Sequence, residues 1–498
     1  MPKKDLLGIT RFRESIRATR ADRGPKYVVE ELDAMGKDVH TAQVRVLDYD
    51  LNVTRDPENA RAVFSTQSAD FDIGLHRTQS WKPLLGVGIF TSQGEQWKHS
   101  RALVRPQFSK EQISDLDLAE RHTRDLIAKV QPGPDGWTDT MQLQPLLYNL
   151  ALDTVTEFLY GYSVHAQNPG ARAQLPVTPG LDDPNLEELG ANFDKGKGWI
   201  EERGAFYKWY WLITSKDFDY RCREIHKLVD WFVQTKLQSG TNNSEKSNEG
   251  DEKLDLESAN TSPRKKFVLL HELAKVSQNP LELRNESLSL LFAGRDTVGA
   301  ALGWCFYFLA RHPRIYEKLR AIILTQFGEA TDGEITFAQI KACRYLENVI
   351  NEAFRVAAPI PLNERVAIRD TTIPRGGGPK GDQPVFVPKG RQVLIATYAM
   401  QHRADLWGDD VEEFRPERWD DDRGKRTGWE FIPFGGGPRA CLGKQFAFME
   451  TSYVIVRFLQ RFDRMENMED PTAPIRLRHA IENRSGSGVL CRFHEAGT

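Results

Sequence analysis

Residues 431–459 read FIPFGGGPRACLGKQFAFMETSYVIVRFL, a glycine-rich loop that reaches Cys441 and runs on into a segment of helical periodicity. Phe434, Gly437, Arg439, Cys441 and Gly443 form its core. A cysteine sulfur that ligates a metal must stay ionised in a low-dielectric site, which takes hydrogen-bond donors and a favourable dipole. Because Cys441 stands immediately before a helical pattern, its sulfur can face unpaired backbone N–H groups and the positive helix end. Gly435, Gly436 and Gly437 let the backbone turn tightly beside the sulfur, and Gly443 lets the helix lie close to a flat group. Phe434 is expected to shield the sulfur from water, while Arg439 offers a planar positive fork to a carboxylate that would otherwise be buried unpaired. An isolated cysteine is most often a buried packing residue. The five residue types at these offsets argue instead for a thiolate ligand.

Working outward, the chain has 498 residues and a net charge of -3, so nothing in its overall charge points to a nucleic acid partner. Its five cysteines, Cys222, Cys305, Cys343, Cys441 and Cys491, are odd in number, far apart and without CxxC spacing. They suit neither a disulfide framework nor a zinc site, and a reducing compartment is expected. The N-terminal stretch MPKKDLLGITRFRESIRATRADRG is charged throughout and lacks the apolar region of a secretory signal. Residues 288–310 are apolar enough to suggest a membrane span, but Arg295 and Asp296 in their interior predict a buried helix.

Apolar residues recur at three- and four-residue spacing over 110–130, 145–161, 219–238, 280–312, 313–328, 344–356 and 442–461, which predicts helices. Strand-like alternation is confined to 43–54, 385–396 and 365–373. Residues 240–265 are polar and predict a flexible insertion, and the proline- and glycine-rich 167–186 predicts an irregular loop. The expected fold is mainly α with a small β subdomain. Average domain size alone would suggest two or three domains, but the motifs spread along the chain argue for one.

The 434–443 pattern resembles the signature of the cytochrome P-450 superfamily, the haem-thiolate monooxygenases. The resemblance implies the cytochrome P-450 fold over 1–498 as a single catalytic domain, with iron protoporphyrin IX (heme b) ligated by Cys441. It gives roles to further positions of this sequence. Glu352 and Arg355 in NVINEAFRV, three residues apart on one helix face, and Arg418 in FRPERW would form the buried network that holds the haem loop. Trp97 and Arg101 in GEQWKHSRALVRPQF, Arg365 in PLNERVAIRD, and Arg439 would serve the haem propionates. LFAGRDTVGAALG, 291–303, resembles the helix crossing the distal haem face. There Gly294 weakens the helix ladder, the Thr297 hydroxyl can bond the carbonyl four residues back, and Asp296 with Thr297 would carry protons. Phe292, Ala293, Ala358, Pro359 and Ile360 are the expected substrate-pocket residues.

The resemblance runs from RDPENARAVFSTQSADFDIG to the C-terminal helix and is closest to the fungal alkane and fatty-acid hydroxylases, through LLGVGIFTSQGEQWKHSRALVRPQF, TTIPRGGGPKG and VEEFRPERW. It implies dioxygen as co-substrate, an apolar substrate, and electrons from a separate NADPH-cytochrome P-450 reductase. Departures from the branch are Val298 where a second threonine is usual, and Ala357 and Ala358 in place of a bulky residue and proline. Both departures bear on pocket shape. Ala293 replaces the glutamate that esterifies haem in animal relatives, so the cofactor should be non-covalent. By resemblance the location is the cytosolic face of the endoplasmic reticulum membrane. The branch's N-terminal anchor has no counterpart here, so a soluble or peripheral chain is expected. Phe206, Tyr207, Trp209, Tyr210 and Trp211 are either a peripheral membrane contact or core packing. Lys98, Arg105 and Lys444 are either a docking face for the reductase or solvated charges. Monooxygenation of a fungal terpenoid or polyketide, a haem-thiolate isomerase or dehydratase, and a non-catalytic haem protein remain the alternatives.

Overall fold

The computed structural model describes residues 8–109, 116–171, 186, 188–246, 267–329, 333–421 and 428–497. Its organising element is the helix Pro280–Arg311. Pro280 opens the first turn, where its missing N–H costs nothing, and the Asn279 side chain caps Leu281 and Glu282 N–H groups. The helix packs most extensively against Leu143–Tyr160, and also against Lys216–Lys246, Arg344–Ala357 and Lys444–Arg461. Apolar side chains on nearly all sides, including Leu302, Trp304, Phe306 and Phe308, bury it in the main core with Phe458 and Phe493. Residues 288–310 are therefore an interior helix. Among the described residues no helix is long and apolar enough to cross a membrane.

A five-stranded sheet, in the order 41–46, 49–54, 392–395, 363–367, 71–72, flanks the helical body. The expected strand over 43–54 is a hairpin. It reverses at Leu47, whose φ of 53° is left-handed, with Thr41 opposite Thr54. The alternation over 385–396 likewise covers two strands, 383–387 and 392–395, separated by a turn in which Arg391 N–H bonds Pro388 C=O. They belong to different sheets, the first pairing with 371–377 and the second with 49–54 and 363–367. Period-two alternation reports that strands exist and is blind to a turn whose residues keep the alternation going.

Helices expected from periodicity appear at Asp117–Ile127, Leu143–Tyr160, Lys216–Lys246, Pro313–Phe327, Arg344–Ala357 and Lys444–Arg461. The expected helix start at 110–115, most of the 167–186 loop and residues 247–265 of the expected insertion lie outside the described residues. Residues 240–246 continue the helix rather than opening a loop.

Candidate active site

The cysteine loop is closed by its own backbone. Cys441 N–H donates to Phe434 C=O at 3.0 Å, and Gly435 N–H to Ile432 C=O at 3.0 Å. Gly437 sits at φ 65°, and a Cβ there would lie 1.7 Å from the Phe64 carbonyl oxygen, so only glycine fits. The helix begins at Lys444, and the Gly443 N–H reaches the sulfur. Burial pushes the Cys441 thiol up, while the Gly443 N–H, Arg101 and Lys444 pull it down. Four of the cysteines are buried, and Cys441 is exposed. Phe434 packs edge-on against Phe354, ring centroids 6.0 Å apart. Arg101 Nη1 donates to Ala440 C=O at 3.1 Å, which fixes its charge beside the sulfur.

Four arginines converge nearby. Arg439 pairs with Asp72 at 2.6 Å, bonds Ser92 C=O at 3.2 Å, and lies 4.2 Å over the Trp97 ring, whose centroid is 5.7 Å from Arg101. Among the described residues, Arg365 hydrogen-bonds only uncharged oxygens, Asn363 Oδ1 at 3.0 Å and Glu364 C=O at 2.6 Å. Arg77 lies 4.6 Å over Trp81, and its Nε has no hydrogen-bond partner among the described residues. Burial, then repulsion from Arg77 and Arg439, pushes Arg365 down to about 9. Burial, only partly offset by Asp72, holds Arg439 at about 10.

Behind the loop, Glu352, Arg355 and Arg418 are fully buried and mutually satisfied. Arg355 grips both Glu352 carboxylate oxygens at 3.0 Å and donates to Gln401, Val411 and Glu413 carbonyls. Arg418 donates to Glu352 at 3.2 Å and to Asp410 and the Trp407 carbonyl, each at 2.8 Å. Trp419 Nε1 and Arg415 N–H complete the carboxylate at 3.1 and 3.0 Å. An ion pair this deeply buried is tolerated only because every donor has a partner.

Along 288–310 every residue is buried except Ala293, Gly294 and Thr297, which share one helix face and keep accessible surface. Thr297 Oγ1 donates to Ala293 C=O at 2.6 Å. The helix is nevertheless continuous here, so Gly294 does not break the ladder. A Cβ at Gly294 would approach Val155 to 2.5 Å, and close packing against Leu143–Tyr160 accounts for that glycine. Asp296 faces away from the open face and is buried at 2% exposure, bonded through Oδ1 to Arg295 Nη1 at 2.6 Å. Of the expected pocket residues, Ala293 and Ile360 keep accessible surface. Phe292 is turned against Trp81 at 5.7 Å, and Ala358 and Pro359 are buried under the C-terminal segment, where Asn483 N–H bonds Pro359 C=O at 2.8 Å. Sequence offset cannot distinguish a residue facing a pocket from its neighbour one helical position on.

The family model described as Cytochrome P450 matches residues 34–482. The chain belongs to the cytochrome P450 family. Cytochrome P450 monooxygenase g430 of a Fusarium species is 40% identical over 98% of the chain and 82% of its own length. Cytochrome P450 52A13 of Debaryomyces hansenii is 38% identical over 87% of the chain and 80% of its own length. Cytochrome P450 52E1 of Candida apicola is 39% identical over 89% and 82%. As a cytochrome P450 the protein is an oxidoreductase, a monooxygenase that uses haem iron on a cysteine thiolate, with an apolar substrate and a redox partner.

The geometry suits that cofactor. Arg77, Arg101, Arg365 and Arg439 outnumber the neighbouring carboxylates Asp72 and Glu364, and Glu364 is already paired with His76 at 3.0 Å. Such crowded cations are stabilised by a further anionic group, which the two carboxylates of a haem would supply. At Gly443, φ is -84° and a Cβ would meet only Phe108 at 3.7 Å, so protein neighbours do not demand glycine there. A flat ring laid against the helix start would favour it. Arg77 was not apparent from the sequence, because HRTQSW carries no spacing signal and its partners Arg365 and Arg439 lie hundreds of residues away.

Proposed function

We propose that this cytochrome P450 hydroxylates aliphatic chains, fatty acids or alkanes, at or near the terminal carbon. Three branch-like stretches, 84–108, 371–381 and 411–419, and the relatives of the 52A and 52E types support that reading. The observation that carries the chemistry is the accessible face formed by Ala293, Gly294 and Thr297 on an otherwise buried helix. When bound, the haem supplies reductive activation of dioxygen. Cys441 would ligate its iron, and the Gly443 N–H, Arg101 and Lys444 favour the charged sulfur against the opposing effect of burial. Arg365 and Arg439, with Arg77, would hold the propionates of a non-covalent heme b, and Trp97 would brace Arg439. Thr297 presents a hydroxyl at the open face, and Asp296 is the acid next to it that exchanges protons. Trp81, Phe90 and Phe292 pack together as an apolar cluster, Phe292 lying on the same helix as Ala293, which suits a hydrocarbon better than a polar substrate.

Electrons would come from NADPH-cytochrome P450 reductase docking near the exposed Arg105 and Lys444. Lys98 is exposed too but faces Glu95 at 2.5 Å, so it adds little net charge. The site of action is the cytosolic face of the endoplasmic reticulum membrane, with Trp209, Trp211 and Leu212 as the peripheral contact. These three are exposed, whereas Phe206 packs on Phe12 at 5.3 Å and Tyr207 stacks on Tyr49 at 5.2 Å. Reconstitution with a fungal reductase and NADPH against fatty acids, alkanes and terpenoids tests the substrate class. Hydroxylated aliphatic products near the chain end are expected; turnover of terpenoids alone would overturn it.

A further inference from the structure

Away from the open face, Asp296 belongs to a buried group of charges contributed by four elements. Lys197, on the helix Leu189–Ala205, lies 2.6 Å from Glu482 Oε1 and 3.2 Å from Asp296 Oδ2, with all three side chains at 1–3% exposure. Arg295 Nη1 is shared between Asp296 Oδ1 at 2.6 Å and Asp194 Oδ1 at 2.8 Å. Tyr148, from Leu143–Tyr160, sits beneath Arg295 and Arg484, 5.3 and 5.7 Å from its ring. Glu201, four residues after Lys197, feels Glu482 as a repulsive neighbour and is pushed up to about 7, chiefly by burial.

The two carboxylates compete for one ammonium, and Glu482 holds it more tightly. Lys197 makes a hydrogen bond to Glu482, but Asp296 Oδ2 accepts none from the described residues. A buried carboxylate oxygen left in that state is costly and open to a new bond. Glu482 cannot drift, because the next residue is pinned on both sides. Asn483 donates through its side chain to Ala357 and Ala358 carbonyls, and its own carbonyl accepts from Trp304 Nε1 at 2.7 Å.

We propose that Glu482 is a positioning residue for the proton transfer assigned above to Asp296 and Thr297: by drawing Lys197 toward itself, it leaves Asp296 Oδ2 free to turn and exchange protons at the open face. No bond of the substrate is touched by Glu482. Its negative charge sets how firmly Lys197 clamps Asp296. The inference rests on the reading of Asp296 as the acid, and the test separates the two.

In holoenzyme reconstituted with reductase, Glu482→Gln keeps the side-chain shape and removes the charge. Lys197 then closes on Asp296. Product formed per NADPH is expected to fall by about fivefold, the scale of coupling within one charge network, and the solvent isotope effect on turnover to rise. In the reduced carbon monoxide complex, the infrared C–O stretch, which senses polar groups above the iron, is expected to shift without any turnover. Combining Glu482→Gln with Lys197→Met removes the clamp and should restore yield to within about twofold of native. Asp296→Asn should lower yield by itself and mask Glu482→Gln. If Glu482→Gln leaves yield, isotope effect and C–O stretch unchanged while Asp296→Asn alters them, the proposal falls and the acid reading stands. If Asp296→Asn alters none of them, both fall. Where Glu482→Gln fails to retain haem, Glu482→Asp keeps the charge at a greater distance. An intermediate yield and C–O shift would support the proposal, and native values for both would overturn it.

Discussion

At position 437 a side chain has nowhere to go: the backbone is left-handed and the Phe64 carbonyl occupies the space. Gly437→Ala is expected to cost about 3 kcal/mol or more, because strain and clash add. The measurement is the yield of protein with a red-shifted carbon monoxide spectrum, and a native yield with native Tm would contradict the loop geometry. Arg77 poses the opposite case, a residue crowded by like charge. Arg77→Gln is expected to leave the haem-free protein at least as stable as native while haem transfer to an acceptor globin speeds up about tenfold, the worth of a charge-assisted hydrogen bond. Equal transfer rates would remove Arg77 from the propionate site. Neither expectation arises from the residue alone, since arginine and glycine at these positions are explained by what the fold brings against them.

At the scale of the element, Lys444–Arg461 carries a buried carboxyl, Glu450, that burial pushes up to about 8 against an ordinary value near 4.5. Between those values the folded chain holds a proton that the unfolded chain has released, so this group lowers stability as pH rises from about 4.5 to 8. Glu450→Gln removes that dependence. Its advantage over the native protein in unfolding free energy, read from denaturant unfolding, should therefore grow from pH 5 to pH 8, by up to about 1.4 kcal/mol per pH unit. A gap independent of pH would show that Glu450 is ionised in the fold. The same helix was legible in the sequence from its periodicity, and so was Pro280–Arg311, because long apolar spacing leaves few alternatives. The strands were less so: 43–54 and 385–396 each conceal a reversal, since a turn is set by one or two residues such as Leu47 that carry no periodic mark.

Across the whole molecule, the exposed Trp209, Trp211 and Leu212 define a surface remote in sequence from the cysteine loop. Replacing Trp209 and Trp211 together by serine should weaken binding to phosphatidylcholine vesicles by about tenfold in co-sedimentation, since two amphipathic rings leave the interface. Unchanged binding would assign these rings to another role. Phe206 and Tyr207 of the same run turn inward, a division invisible in a string of aromatics. The tight turn of the cysteine loop, the Glu352–Arg355–Arg418 set and the Thr297 bond to Ala293 could be read in advance, because each depends on fixed offsets within a short segment or on a motif whose partners come in a known order. What only the tertiary structure decided is how charges from distant segments are matched: Arg77 against Arg365 and Arg439, and Lys197 between Asp296 and Glu482. Offsets along one chain constrain local geometry, whereas electrostatic energy depends on distance through space, and that is known only once the segments have packed.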